Sequence, residues 1–258
     1  MELEINHLAA FAEELADAAR QVSLEYFRTS ISTELKADSS PVTVADRETE
    51  LLLRDRIHSV FPDHGILGEE FGHINAGSEY LWVLDPIDGT KSFITGKPLF
   101  GTLIGLLYRD EAIIGVCDMP ALRERWVGKY KSQTTFNGRP TNVRQCTSLQ
   151  KAWLYATSPQ MFTENNFPKF ETLRKFIQNA VYGAECQAYG LLSSGWVDIV
   201  CEDTMNPYDY VALVPIVTGA GGVMTDWSGR SLGLEGDGTV LALGDPRLQS
   251  QILEILKT

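Results

Sequence analysis

The sequence predicts a mixed α/β protein in which layers of helices and sheets are stacked. Apolar residues between positions 5 and 22 recur at steps of three and four, which is typical of an amphipathic helix. Short apolar runs between residues 80 and 127 indicate successive strands, and strand and helix patterns alternate after about residue 150. A chain that begins with strands and then alternates favours stacked layers of sheet and helix.

The first half of the chain is expected to hold a second helix and an antiparallel meander. Thr43, followed three residues later by Asp46, resembles a capping box, so a helix should begin there and run to about Phe61. A buried strand is expected at 80–84, directly before an acidic segment. The meander should contain the strands 102–108, 112–118 and 125–127.

The second half of the chain is expected to alternate between strands and helices. The predicted strands are 153–156, 197–200, 222–225 and 240–243, and the predicted helices are 167–179, 187–193, 208–218 and a closing helix from Pro246. The chain contains no internal repeat and no linker rich in glycine and serine. We therefore expect a single domain, 1–258, made of two lobes: about 1–140 with the antiparallel sheet, and about 141–258 with mixed α/β structure.

Composition excludes several classes of function. The chain has 258 residues, and 22 basic against 34 acidic side chains give a net charge of −12, which argues against nucleic-acid or anionic-membrane partners. No apolar run reaches the length of a membrane span, and the N-terminus is acidic, unlike a signal peptide, so we expect a cytoplasmic protein. The four cysteines form no CxxC pair and are expected to be reduced, and the four histidines fit no zinc pattern.

The segment Asp85-Pro86-Ile87-Asp88-Gly89-Thr90 carries the strongest chemical signal. It places two carboxylates three residues apart at the end of an apolar strand, where a hard cation such as Mg²⁺ can find oxygen ligands. Gly89 would let the backbone approach an anion, and a helix that begins there would direct free N–H groups at a phosphate. A capped turn with no metal is the alternative interpretation of two such aspartates alone.

Two further acids sit in settings that suit the same site. Glu69 follows the apolar pair Ile66 and Leu67, so it can lie at a neighbouring strand end. Asp209 begins a helix after the predicted strand 197–200, where an ordinary N-terminal helix charge is the alternative.

With these residues together, the chain resembles the inositol monophosphatase superfamily of Mg²⁺-dependent, lithium-inhibited phosphomonoesterases. Four motifs match in order: Thr43-x-x-Asp46, GEE at 68–70, WVLDPIDGT at 82–90, and PYD at 207–209 followed by GAGG at 219–222. The resemblance covers essentially the whole chain. It implies the sugar-phosphatase fold, with alternating α-β-α-β-α layers.

The resemblance also implies how the metal ligands are divided. Glu69, Asp85 and the Ile87 main-chain carbonyl are similar to the ligands of a first Mg²⁺, and Asp85, Asp88 and Asp209 to those of a second. Two or three ions per site are expected. Paired ions would activate a water and neutralise charge on the leaving oxygen.

The same resemblance implies catalytic and substrate-binding roles. Asp46 looks like the residue that holds a water or a third ion, while Glu69 and Thr90 would relay the proton of the attacking water. The N–H groups of Gly89 and Thr90 would hold phosphate oxygens. The expected substrate-binding residues are Asp88, Gly89, Thr90, Glu185, Glu202 and Asp209.

Within the superfamily, the sequence is most similar to the histidinol-phosphate phosphatases. DGT is followed by KSF, where inositol phosphatases typically have TNF, and Tyr208 stands where they typically have Trp. GAECQAY at 183–189 resembles the GGDCYAY stretch of that branch but departs from it at Ala184, Glu185 and Gln187. Glu202 lies seven residues before Asp209, the family's spacing for an acid at the leaving alcohol.

Glu185 and Glu202 favour a cationic leaving alcohol, because carboxylates beyond those needed for metal can pair with an ammonium or imidazolium. We therefore expect hydrolysis of L-histidinol phosphate. An inositol monophosphatase or broad sugar-phosphate phosphatase is the alternative, and an adenosine bisphosphate phosphatase fits less well because such chains are usually longer. A non-catalytic regulatory protein is a further alternative that the intact ligand set disfavours. The resemblance also implies a homodimer.

Overall fold

The structure, a computed structural model, describes residues 2–35 and 41–257. It begins with helix α1 (Glu2–Tyr26), a short hairpin of β1 (Thr33–Leu35) and β2 (Pro41–Thr43), and helix α2 (Val44–Val60). The capping box predicted for α2 is confirmed, because Thr43 Oγ1 accepts from the Ala45 N–H and Asp46 accepts from the Thr43 N–H. Within the described ranges, no helix has the length and apolar character of a membrane span.

An eight-stranded sheet follows α2. Its strands are β3 (Gly65–Gly68), β4 (Gly72–Ile74), β5 (Tyr80–Asp88), β6 (Gly101–Tyr108), β7 (Glu111–Met119), β8 (Glu124–Lys129), β9 (Thr135–Phe136) and β10 (Arg139–Pro140), with the short helix α3 (Thr90–Ile94) after β5. The spatial order is β10-β9-β8-β7-β6-β5-β3-β4. β3 and β5 run parallel and the other neighbours antiparallel, which confirms the predicted meander of β6, β7 and β8.

A second, five-stranded sheet occupies the rest of the chain. In chain order its elements are β11 (Trp153–Ala156), α4 (Phe167–Arg174), β12 (Asn179–Tyr182), α5 (Gln187–Ser193), β13 (Ile199–Glu202), α6 (Pro207–Tyr210), α7 (Leu213–Gly219), β14 (Val223–Thr225), β15 (Val240–Leu243) and α8 (Gln249–Lys257). The strand order is β12-β11-β13-β15-β14. The parallel pairs β12-β11 and β11-β13 are followed by two antiparallel pairs.

The two sheets and their helices form five layers. α1 and α2 cover the outer face of the eight-stranded sheet, where Trp82 and Leu84 of β5 point. Leu81 and Val83 point the other way, into a core shared with α5, α7 and the second sheet. α4 and α8 pack together on the outer face of the second sheet. The predicted α-β-α-β-α arrangement is confirmed.

A row of three glycines seats α7 against the eight-stranded sheet. Gly105, Gly115 and Gly128 pair side by side across β6, β7 and β8. A Cβ added at Gly115 would lie 1.8 Å from the carbonyl oxygen of Ala212, the residue before α7, and one at Gly128 would lie 2.3 Å from the backbone of Pro215. Helix backbone and sheet backbone therefore meet directly in this glycine row.

Several predicted elements differ from the structure. The helix predicted at 167–179 ends at Arg174, and an edge strand, β12, occupies Asn179–Tyr182. The helix predicted at 208–218 is broken into α6 and α7, and Pro215 lies in the first turn of α7, where a missing N–H costs no helical bond. β13 begins two residues later than predicted, and the closing α-helix begins at Gln249 after a short 3₁₀ turn at Pro246–Leu248.

Candidate functional site

An irregularity in β5 brings two aspartates to the same side of the strand. Residues three apart in a regular strand point to opposite faces, but the register between β5 and β6 shifts between Asp85 and Asp88. Thr102 Oγ1 supports the irregular segment by donating to the Pro86 carbonyl at 2.9 Å. As a result, carboxylate oxygens of Asp85, Asp88 and Asp209 all lie within 4.8 Å of one another. We call these three residues the aspartate cluster.

Two site acids are held by the capping boxes of helices. Asp46 Oδ2 accepts from the N–H and the hydroxyl of Thr43, at 2.8 and 2.6 Å, and burial raises the pKa of Asp46 in spite of these bonds. Asp209 is the corresponding residue of α6, and its Oδ2 accepts from the Asn206 N–H at 2.7 Å. In both acids one oxygen fixes the helix start, which orients the carboxylate toward the site.

Glu69 and Thr90 complete the side of the site that borders α2. Glu69 follows β3, and its N–H donates to the Leu84 carbonyl at 3.2 Å, beside the end of β5. Thr90 Oγ1 lies 3.3 Å from Asp46 Oδ1 and 3.2 Å from the Ile87 carbonyl oxygen. The structure therefore brings the predicted catalytic residues Asp46, Glu69 and Thr90 next to the aspartate cluster.

Gly89 allows the chain to turn from β5 into α3. Its φ of +81° lies in the left-handed region, and a Cβ there would come within 2.8 Å of Glu185 Cγ and 3.1 Å of the Leu99 carbonyl oxygen. Glycine is thus required both by the backbone and by the approach of Glu185. The first N–H groups of α3 have no acceptor within the helix and lie at the site.

Glu185 and Glu202 also line the cleft beside the aspartate cluster, and they are held differently. Glu185 is half-buried, has a left-handed φ of +51°, and accepts from Ser92 Oγ through Oε1 at 2.8 Å. Glu202 is buried at the end of β13, where Oε1 accepts from Thr157 and Oε2 from the Tyr189 hydroxyl at 2.6 Å. Both carboxylate oxygens of Glu202 therefore accept hydrogen bonds from protein donors, whereas Ser92 donates to one carboxylate oxygen of Glu185.

Crowding and burial disfavour negative charge in the aspartate cluster. Burial raises the pKa of Asp85 well above its usual value, and the carboxylates of Glu69 and Asp88 raise it further. Burial, followed by the charge of Glu185, raises the pKa of Asp88 to about 7, although the Cys186 N–H donates to its Oδ2 at 2.7 Å. Burial also raises the pKa of Asp209 well above its usual value.

The ligand chemistry of the cluster fits a hard divalent cation. Its atoms are carboxylate oxygens, beside the carbonyl oxygen of Ile87, and such oxygens are the ligands that Mg²⁺ prefers. A cation would also offset the repulsion that raises the three pKa values. The cluster borders a cleft of about 410 Å³. The cleft also contacts Gly89, Thr90, Glu185 and Glu202, and two methionines, Met161 and Met205, supply apolar surface.

The model of the inositol monophosphatase family matches residues 4–258 of this chain. The chain belongs to the inositol monophosphatase family. It is 44% identical to the bifunctional phosphatase IMPL2, chloroplastic, of Arabidopsis thaliana, over 98% of this chain and 76% of that protein. It is 36% identical to a histidinol-phosphatase of Chlorobaculum parvum over 90% of each chain. A solved inositol monophosphatase from Zymomonas mobilis is 40% identical, with a TM-score of 0.90 and 98% of both chains covered.

Membership of the inositol monophosphatase family confirms the resemblance described from the four motifs. Enzymes of this family are metal-dependent phosphatases, generally with Mg²⁺, so the chain is a phosphatase of this class. Seven of the ten residues predicted for the site line the cleft, and the other three, Asp46, Asp85 and Ile87, adjoin lining residues. Ile87 is buried, and its carbonyl oxygen, not its side chain, is the group near Thr90.

Four residues that hold the acids of this inositol monophosphatase family site were not singled out from the sequence. They are Ser92, Thr157, Cys186 and Tyr189, which donate to Glu185, Glu202, Asp88 and Glu202. The stretch 183–189 contains two of them, so its resemblance to the histidinol-phosphate branch was a usable signal. Thr157 carries no signal, because its contact with Glu202 joins β11 to β13 across 45 positions of the chain.

The four histidines lie outside the cleft, whereas Cys186 lines it and donates its N–H to Asp88. All four cysteines are free and buried, and their reduced state stays a prediction. His7, His58 and His73 are exposed, and His64 is stacked against Phe61 with its Nδ1 accepting from Trp82 Nε1 at 3.1 Å.

Proposed function

We propose that the chain is a Mg²⁺-dependent phosphomonoesterase that hydrolyses L-histidinol phosphate to L-histidinol and phosphate. The observation that carries the proposal is the convergence of Asp85, Asp88 and Asp209 beside the start of α3, with Glu185 held next to them by Ser92 of α3 in the lining of the same cleft. The first group fits a cation and a phosphate, and Glu185 fits a cationic alcohol.

Each residue of the site has a role in this proposal. Glu69, the aspartate cluster and the Ile87 carbonyl would hold two or three Mg²⁺ ions. When bound, Mg²⁺ supplies positive charge that neutralises phosphate oxygens and lowers the pKa of water. Asp46 fixes the Thr90 hydroxyl at 3.3 Å, so that Thr90 and Glu69 can accept and pass on the proton of the attacking water. The N–H groups of Gly89 and Thr90 orient phosphate oxygens.

The position of Glu185 supports a cationic leaving alcohol. Ser92 donates a hydrogen bond to Oε1 of Glu185. The left-handed backbone of Glu185 costs about 1 kcal/mol or more. Such strain is typical of site residues, and here the backbone conformation sets the direction of the carboxylate. Glu202 contributes indirectly to the lining of the cleft. It accepts hydrogen bonds from Thr157 and Tyr189, which also line the cleft. Relatives called histidinol-phosphatases from three bacteria are 32% to 36% identical to this chain.

Replacement of Glu185 by glutamine tests this specificity. Glutamine keeps an oxygen for Ser92 but removes the charge, and a charge-assisted hydrogen bond contributes about 1.5–3 kcal/mol. We therefore expect Glu185→Gln to lower kcat/KM for histidinol phosphate by about 10- to 100-fold. Hydrolysis of glycerol 2-phosphate by the same variant is the control, and it should change little. A phosphate-release assay with Mg²⁺ and both esters measures the difference, and equal losses on both would contradict the proposal.

An inositol or sugar phosphate is the second candidate substrate. The similarity to the inositol monophosphatase of Zymomonas mobilis favours it, as does the full commitment of Glu202 to Thr157 and Tyr189, which leaves one acid fewer for a cation. The wild-type protein separates the two candidates. If it cleaves inositol 1-phosphate much faster than histidinol phosphate, the second candidate replaces the first.

The raised pKa values predict how Mg²⁺ and pH together affect stability. A carboxyl group whose pKa is raised by folding stabilises the fold below its unfolded pKa, about 3.9 for aspartate. That contribution is lost as pH rises through the folded value, about 7 for Asp88. Mg²⁺ competes with protons below this pH and relieves repulsion above it. We expect a fixed Mg²⁺ concentration, equal to 100 times the Kd at about pH 8, to stabilise the protein by about 2.7 kcal/mol at that pH and by less at about pH 6, where the Kd is higher.

Thermal unfolding with and without Mg²⁺ at the two pH values measures this effect. NaCl of equal ionic strength is the control for screening of charge. A stabilisation by Mg²⁺ that is the same at both pH values would count against a cation at the aspartate cluster.

We further propose that the two lobes act as one catalytic unit, because the aspartate cluster draws Asp85 and Asp88 from the first sheet and Asp209 from the segment after β13. A homodimer is proposed from the family resemblance, and a cytoplasmic location is proposed because no apolar run reaches the length of a membrane span.

A further inference from the structure

A buried carboxylate of α2 accepts hydrogen bonds from the backbone of the turn that carries Glu69. Glu50 is fully buried, and its Oε2 accepts from the Glu70 N–H at 2.7 Å. Its Oε1 accepts from the Phe71 N–H at 3.2 Å. Glu50 thus fixes the two backbone N–H groups that directly follow Glu69.

Arg54 extends the same contact to the far end of the turn. Its Nε donates to Glu50 Oε1 at 2.7 Å, and its Nη2 donates to the carbonyl of Gly72, the first residue of β4. Arg54 is almost completely buried, so this pair is shielded from water. Together, Glu50 and Arg54 hold the backbone from Glu70 to Gly72.

Glu50 packs closely against the residue that precedes Glu69. A Cβ added at Gly68 would lie 2.0 Å from Glu50 Oε1, so the residue before Glu69 has no room for a side chain. Asp46, Glu50 and Arg54 are spaced by four residues on α2, which places them along one side of the helix. The helix therefore sets the position of Asp46 and of the turn bearing Glu69 at the same time.

We propose that Glu50 and Arg54 are positioning residues that hold Glu69 in place for Mg²⁺. This inference rests on the proposed role of Glu69 as a metal ligand. Residues that orient a ligand from behind typically affect metal affinity by about 10- to 100-fold. Neither residue lines the cleft, so their effect is expected on the cation and not on the phosphate ester.

The variant Glu50→Gln tests the inference. Glutamine has the same shape, but its NH₂ group would face one of the N–H donors that Glu50 now accepts from. We expect the Kd for Mg²⁺, measured by calorimetry without substrate, to rise about 10-fold or more. The KM for the phosphate ester at saturating Mg²⁺ should stay close to that of the wild type. Arg54→Lys keeps the charge but cannot hold both Glu50 and Gly72, and it should weaken Mg²⁺ binding in the same direction.

The matched control is Asp198→Asn. Asp198 is also buried and paired with an arginine, Arg144, but it lies outside the cleft. This variant should lose stability and keep its affinity for Mg²⁺. Wild-type affinity in both Glu50→Gln and Arg54→Lys would overturn the inference, and so would an equal loss in Asp198→Asn. If Glu50→Gln does not fold, Arg54→Lys decides. A wild-type protein that binds no Mg²⁺ overturns the proposed function itself.

Discussion

Replacement of Asp85 by asparagine should abolish phosphatase activity while the protein stays folded. Asp85 is the residue that both proposed ions would share, and the loss of a metal ligand removes several kcal/mol of charge stabilisation in the transition state. That corresponds to a loss of at least about 10³-fold in kcat/KM. Phosphate release from histidinol phosphate and from glycerol 2-phosphate should fall together, because the metal acts on the phosphate common to both.

The fold should tolerate this substitution well. Asparagine keeps an Oδ1 that can accept from the Ile87 N–H, which now donates to Asp85 at 3.0 Å. It also removes a charge that burial and neighbouring carboxylates oppose, so the metal-free variant should unfold at the same or a higher temperature than the wild type. Asp226→Asn, which changes a buried acid paired with Arg230 outside the cleft, should keep its activity. A folded Asp85→Asn protein with near-normal turnover would rule out a shared metal ligand at this position.

Replacement of Gly89 by alanine should have the next largest effect. The left-handed φ of +81° costs an L residue about 1–2 kcal/mol, and the new Cβ would meet Glu185 Cγ at 2.8 Å. Glu185 or the start of α3 must move in response. Because a displacement of about 1 Å in a positioned group can cost about 10²-fold in rate, we expect kcat/KM to fall by about that factor. Preference for histidinol phosphate over glycerol 2-phosphate should also decrease.

Gly138→Ala separates backbone strain from damage to the site. Gly138 has a similar φ of +74°, but an added Cβ would meet nothing within 4 Å. We expect both variants to lose stability in thermal unfolding, and only Gly89→Ala to lose activity in the phosphate-release assay. If the two variants kept equal, near-normal activity, the contact between Gly89 and Glu185 would have no catalytic importance.

The elements that the sequence predicted well are those with strong local patterns. Thr43 and Asp46 predict the start of α2, because a capping box is complete within four residues. The meander was recognised because its strands are apolar and joined by tight turns. β1 and β12 carry no such pattern, because they are only three and four residues long and none of their residues is fully buried.

In the candidate site, too, a local sequence pattern predicts some residues, and only long-range contacts in the folded chain reveal the others. One segment predicts Asp85 and Asp88, but only the shifted register against β6 explains how both carboxylates reach the same aspartate cluster. Glu50 was missed because its partners, the N–H groups of Glu70 and Phe71, are backbone groups 20 and 21 residues away. Backbone partners leave no trace in residue types, so only the folded structure reveals them.

The glycine row has a consequence for how the protein can move. Sliding or opening of α7 relative to the eight-stranded sheet would have to break direct backbone contact at Gly105, Gly115 and Gly128 together. The eight-stranded sheet and α7 should therefore behave as a rigid frame on the time scale of turnover. Adjustment to different substrates is then left to the rim of the cleft, where Met161 and Met205 have flexible, unbranched side chains that can repack.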